Sequence, residues 1–207
     1  MATTPQAAPE RDNTLHHLVT SLLYTIVTVI VLGLIYPFVI WGLATLLFHH
    51  QAAGSLITGP NGTVIGSTLV GQSFTKPQYF QGRPSAAGKG YDPTATGGTN
   101  LGPTSKKLID ATKSTIAALQ KANPDATGPI PMDLVTSSAS GIDPDISPAG
   151  AYYQAPRVAK ARGMSLDSVR AIIAAHTTSR QFGLLGEPRV NVLDVNRTLD
   201  AQGAASK

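Results

Sequence analysis

The sequence predicts an α+β fold carried on a single membrane-crossing helix, and three observations predict it. Near the amino terminus, 31 residues from Leu18 to Phe48 are almost wholly apolar, within 63 consecutive residues between Asp12 and Lys76 that include no Asp, Glu, Lys or Arg. Gly and Pro then supply sixteen of the fifty residues from Gly54 to Pro103, where short β-branched runs flank a turn signal. The carboxy-terminal half instead repeats apolar residues at helical spacing behind Ser and Pro caps.

Residues 1–14 are polar, Ala- and Pro-rich and aperiodic, so they read as a short disordered tail. The apolar run that follows would extend ~46 Å as a helix, more than the ~30 Å hydrocarbon core, so one crossing accounts for it. A cleaved signal peptide competes with this reading. Its apolar region is ~7–15 residues and ends at a small-x-small site, whereas this run is longer and is followed by His49-His50-Gln51-Ala52-Ala53. The expected boundaries are therefore a cytoplasmic tail at 1–14, a signal-anchor helix at 15–50 and an external domain at 51–207. Arg11 is the sole basic residue near the span and lies on its short side, which favours the tail inside and the domain outside. Within the span, Pro37 should kink the helix, a bend easier to hold against a neighbouring helix than alone in lipid. Gly33 permits close approach of such a neighbour.

In the domain, Ser55-Leu56-Ile57 and Thr63-Val64-Ile65 flank Gly59-Pro60-Asn61-Gly62, which predicts a β-hairpin, with a further short strand near Leu69-Val70. Gln72 to Pro103 reads as a long ordered loop, and a loop of that length is usually functional. Its Tyr79, Phe80, Arg83 and Tyr91 are anchors of the kind interfaces use, or else part of the domain's core. Pro103-Thr104-Ser105 opens a helix with Leu108, Ile109, Thr112, Ile116 and Leu119 on one face, ended by Asn123-Pro124. Ser147-Pro148 starts another, which Pro156 must kink or restart before Arg162-Gly163 closes it. Ser165 caps a third, with Leu166, Val169, Ile172, Ile173 and His176 sharing a face. Val190 to Leu193 reads as a strand, and Asp194 as the cap of a last turn or two. The strands thus fall mostly early.

Chemistry-bearing patterns are sparse. Gly97 to Thr104 has a Gly-rich loop before a helix, but Pro103 stands where a phosphate-binding loop needs Lys. Asp143 and Asp145 are too few oxygens for a hard cation. His16-His17 and His49-His50 bracket the span, His176 is alone, and Ser138-Ala139-Ser140-Gly141 lacks a nucleophile elbow. From residue 51 onward there are fifteen basic and ten acidic residues with no like-charge run, which excludes a nucleic-acid footprint. The absence of cysteine suits an exported domain.

Several segments taken in order are more specific than any one motif. Gly54-Ser55-Leu56-Ile57, Val64-Ile65-Gly66-Ser67, Gly71-Gln72, Tyr79 to Ala86, Asn100 to Pro103, Pro131 to Pro144, Ile146 to Pro148, Arg157 to Arg162 and Val190 to Leu193 follow one apolar span. From about Leu18 to Leu199 the chain resembles the C subunits of the bacterial Kdp potassium pump. The resemblance implies an inner-membrane, single-pass subunit with a periplasmic domain in a potassium-importing P-type ATPase. Its partners would be a potassium-selective channel-like subunit, a P-type catalytic subunit and a small single-span subunit. Potassium, ATP and magnesium would sit on those partners, none bound directly by this chain, whose role would be non-catalytic assembly and stabilisation. The candidate partner contacts are Gly33, Pro37, Trp41, Tyr79, Phe80, Arg83 and Tyr91. The resemblance also raises a chaperone role in nucleotide binding through Leu69-Val70-Gly71-Gln72, with Gln72 as the candidate residue. The expected topology puts Gln72 across ~30 Å of hydrocarbon from cytoplasmic ATP, which makes this the weaker account. Two other classes stay open: a membrane-anchored periplasmic enzyme using Ser140 or Asp143, and a free-standing binding module.

Overall fold

The computed structural model describes residues 13–59 and 61–205, so most of the expected tail and Pro60 of the turn signal lie outside the described residues. The chain divides into two units between Ala53 and Gly54.

In the first unit, Asn13 caps α1 (Thr14–Thr28) by accepting from the His16 amide at 3.4 Å. Helix continues through a π-helical segment, Val29–Ile35, and α2 (Tyr36–Leu47), and a single turn, α3 (His49–Ala52), follows Phe48. Thr14–Leu47 is long and apolar enough to cross a membrane. Three of its hydroxyls are satisfied internally: Ser21, Thr25 and Thr45 donate to the carbonyls of His17, Ser21 and Trp41. That leaves no free hydroxyl donor from these three to be placed in lipid. The disturbance expected at Pro37 takes the form of the π segment. Proline has no amide hydrogen and its ring crowds the carbonyl four residues back, that of Gly33. The preceding turns are widened, and the Tyr36 amide reaches back five residues to Val31.

The second unit begins with the expected hairpin, β1 (Leu56–Thr58) against β2 (Val64–Ser67), antiparallel with Ile57 opposite Gly66 and a bulge after Ile57. The strand expected at Leu69-Val70 does not form, because Ser67 folds the chain back on itself. Its hydroxyl donates to Gly54 O at 2.7 Å and accepts from the Leu69 amide, leaving only an isolated bridge at Val70. From 71 to 105 there is no helix or strand. Next come α4 (Lys106–Ala122), one 3-10 turn (Met132–Leu134) and β3 (Asp145–Ile146), then α5 (Pro148–Arg162) and α6 (Leu166–Ala175). β4 (Thr177–Thr178), β5 (Arg189–Asn191) and α7 (Val192–Ala205) complete the unit.

The strands are therefore not mostly early: β3, β5 and β4 form a three-stranded antiparallel sheet in that order. Strands of two residues are shorter than any alternation that could reveal them. α5 runs unbroken through Pro156 instead of restarting. Pro156 costs the helix only one bond, to the carbonyl of Tyr152, whose residue is exposed. Eight of the fifteen α5 residues are buried, and Gly163 ends the helix in the left-handed region with Met164 N bonded to Ala159 O at 3.0 Å. α7 is longer than expected, and its cap is Asn191 rather than Asp194, since the Asn191 Oδ1 accepts from the Asp194 amide. The core gathers Phe80, Ile146, Val158, Ile173, Val190 and Leu199 between α5, α6, α7 and the sheet.

Candidate functional site

The long loop carries most of the candidate residues, and buried polar side chains on the later helices hold it. A segment without secondary structure must pair its backbone groups elsewhere if they are buried. Asn196 on α7 does this for Phe80: its Oδ1 accepts from the Phe80 amide at 2.8 Å and its Nδ2 donates to the Phe80 carbonyl at 2.9 Å. Gln154 on α5 treats Gln81 the same way, at 2.8 and 3.0 Å. Consecutive loop residues are thus gripped by two helices as a sheet neighbour would grip them.

Arg157, one turn along α5, extends the grip. Its Nε donates to Asn123 Oδ1 and its Nη2 to Gln154 Oε1, both at 2.8 Å, while Nη1 donates to the carbonyls of Pro77 and Tyr79. Among the described residues it has no carboxylate partner, and burial pulls its pKa down to about 10, still cationic at neutral pH. Arg162 donates to Gln78 O at 2.7 Å, pairs with Asp200 and lies 5.1 Å over the Tyr79 ring. The Tyr79 hydroxyl donates to Asp200 as well, and its pKa is raised by burial first and this bond second.

Further along, Arg83 pairs with Asp143 at 2.9 Å and points Nη2 at the carbonyls of Thr136 and Ser137, while its buried Nε has no partner. Tyr91, at φ 56°, donates its hydroxyl to the Arg83 carbonyl. A Cβ at Gly82 would come within 2.3 Å of its hydroxyl oxygen, and one at Gly71 within 2.6 Å of its ring and 2.5 Å of the Asp143 carbonyl oxygen, so neither position has room for a side chain as the structure stands. Burial, then the Asp143 charge, push its phenol up to about 12. A groove of about 560 Å³ lies between this stretch and α4, lined by Phe74, Gln81, Arg83, Tyr91, Thr115 and Leu119 among others.

The structure therefore brings Tyr79, Phe80, Arg83 and Tyr91 into one framework. Phe80, proposed from sequence as a contact, is fully buried and contributes to the core instead. Gln72 lies elsewhere, donating to the Ile65 carbonyl at 2.8 Å and packing against Gly66 of the hairpin. Gly33, Pro37 and Trp41 are in the first unit, with Trp41 exposed. The Ser140 hydroxyl accepts from the Ile142 amide, and Asp143 is occupied by Arg83 and the Asp145 amide. His176 meets Thr198 at 2.9 Å. Sequence reasoning missed Asn123, Gln154, Arg157 and Asn196. A Gln and an Arg on the Ala-rich stretch from Ala149 to Ala161 were the available signal.

Residues 18–201 match the family model described as KdpC: K+-transporting ATPase, c chain. The chain belongs to the KdpC family. It is 57% identical over 186 residues to the potassium-transporting ATPase KdpC subunit of Acidobacterium capsulatum, covering 90% of this chain and 98% of that relative. It is 54% identical over 185 residues to that of Koribacter versatilis, covering 89% and 94%. The KdpC subunit of Myxococcus xanthus is 51% identical over 181 residues, covering 87% and 86%. For this KdpC chain the match spans both units, the apolar helix as well as the polar framework.

Proposed function

We propose that this chain is a non-catalytic accessory subunit of an ATP-driven potassium uptake pump. Its Thr14–Leu47 helix anchors it in the inner membrane, residues 1–14 lie in the cytoplasm and the second unit lies in the periplasm. There it holds the larger subunits together, while potassium, ATP and magnesium are handled by the channel-like, catalytic and small single-span partners. The observation that carries this reading is the inward use of polar chemistry. The side chains that catalysis or ligand chemistry would employ, Gln154, Arg157, Asn196, Arg83, Asp143 and Tyr91, are engaged in stiffening a long loop. A stiffened loop is a surface of fixed shape, which lowers the ordering cost of binding another protein. The Gln72 amide is committed to the hairpin, which supports a structural role over contact with nucleotide.

Deletion of this chain from cells expressing the other subunits should abolish their co-purification and the potassium-stimulated ATPase. A reporter fused after Gly203 should be active only when periplasmic. Full potassium-stimulated turnover without this chain, or a reporter active in the cytoplasm, would overturn the reading.

A further inference from the structure

The accessory reading leaves open which surface touches a partner, and the connection from β4 to β5 points to one. Residues 179–188 close a hairpin whose tip displays Phe182, Leu184 and Leu185 at 85%, 79% and 61% exposure. Large apolar side chains grouped at one exposed point mark interaction sites more often than singly scattered ones do. The tip is not slack. Gln181 and Leu185 exchange backbone bonds in both directions at 2.9 Å, and the Gly183 and Leu184 amides donate to the carbonyls of Arg180 and Gln181. Phe182 itself takes φ 54°, between ordinary backbone and two left-handed glycines, Gly183 and Gly186. A bulky residue is uncommon in that region and is held there only where its surroundings fix it. At the base, Arg180 donates to both carboxylate oxygens of Glu187, at 2.8 and 2.6 Å.

We propose that this tip is the docking element of the subunit, and that Phe182 and Leu184 insert into an uncharged, apolar pocket on a larger membrane subunit of the pump. Two observations select that occupant. Arg180 and Glu187 are the only charged residues from Thr177 to Pro188, and they cancel each other, so the tip has no basic belt with which to hold anionic lipid headgroups. Fluid lipid also gives no return for holding the backbone of the tip in one shape, whereas a shaped pocket does. The proposal rests on the accessory reading and adds the surface and the character of its partner.

The test uses the whole pump in native membranes, with Phe182→p-benzoyl-phenylalanine in this chain and the same photoreactive residue at the exposed Lys113 of α4 as control. Irradiation should yield an adduct with one larger subunit, at least about tenfold above the control. Phe182→Ser combined with Leu184→Ser should lower retention of this chain in the detergent-washed complex by about tenfold or more, the usual loss when a central anchor is removed. Its thermal unfolding should not change, because both side chains are exposed. If the serine variant unfolds at lower temperature, the crosslink decides. An adduct with lipid alone, an adduct with a second copy of this chain, or no adduct above the Lys113 control would overturn the proposal. If the native chain co-purifies with the larger subunits while position 182 stays silent, only the docking surface is wrong. If it fails to co-purify at all, the accessory reading falls and the docking proposal with it.

Discussion

Residues 71–105 include no helix or strand, whereas α4, directly after them, is regular over seventeen residues. The irregular stretch is the more firmly held of the two. Its Phe80 is completely buried, and its backbone is bonded by Asn196, Gln154, Arg157 and Arg162. α4 buries only Leu119, and Ile109 on its apolar side remains exposed. Regular backbone therefore does not measure how tightly a segment is tied to the fold. In this unit the tie is made by polar side chains from α5 and α7, aimed at main-chain groups that a sheet would otherwise have paired.

The comparison breaks most readily at Arg157. Arg157→Met keeps the apolar stem but removes the donors to Asn123, Gln154, Pro77 and Tyr79. Relief of the buried charge offsets part of this, and a net loss of about 3 kcal/mol is expected, because several buried acceptors lose their partner. For a unit of this size that lowers the melting temperature by roughly 6–12 °C. Ala117→Gly, at an exposed position inside α4, should cost only about 1 kcal/mol. Circular dichroism melts of the detergent-solubilised chain would compare them. A larger loss from Ala117→Gly would mean that the helix, and not the loop, is the better anchored part.

A smaller effect sharpens the same contrast at Gly82. A Cβ there would lie 2.3 Å from the Tyr91 hydroxyl oxygen but farther from the ring carbons. Gly82→Ala is expected to cost about 1–3 kcal/mol, as overpacking does. Adding Tyr91→Phe removes the atom that clashes, so the double variant should be more stable than Gly82→Ala alone. Strict additivity of the two losses would show that the Tyr91 hydroxyl does not lie against this glycine.

The hairpin, the starts of α4, α5 and α6 and the long loop were legible because each carries a local signal: Gly-rich turns, Ser and Pro caps, apolar residues at helical spacing. The β3-β5-β4 sheet was not, since Asp145–Ile146 and Thr177–Thr178 are too short to show a period. The start of α7 was misplaced because Asn191 does three things at once. It ends β5, caps the helix and donates to the Thr68 carbonyl at 3.0 Å. Tyr79, Arg83 and Tyr91 could be picked from the loop as anchors, but their partners could not. Asn196 and Phe80 are 116 positions apart, and no local pattern encodes a bond over that distance. The tip at Phe182 escaped notice for the opposite reason. Without the fold, Phe182, Leu184 and Leu185 read like any other apolar residues.

The mildest probe of the held loop is pH. The Tyr91 phenol has a folded pKa of about 12, raised from 10.0 by burial first and by the Asp143 charge second. Between those values the unfolded chain has lost the proton and the folded chain keeps it, so this contribution to stability is complete below pH 10 and fades as pH rises toward 12. Arg157 runs the other way. Burial lowers its pKa to about 10, below that of the unfolded chain, so its contribution is lost as pH falls toward 10. The two opposing slopes partly cancel in the native chain, which is why the measurement must be a difference. Urea midpoints of the native chain and of Tyr91→Phe, followed from pH 9 to about 11.5, share the Arg157 effect. The native chain should lose stability relative to the variant as pH rises, and ultraviolet titration should show one late-ionising tyrosine that the variant lacks. Parallel midpoints and identical titrations would mean that water reaches the Tyr91 hydroxyl, and that the loop is open where its bond to the Arg83 carbonyl should close it.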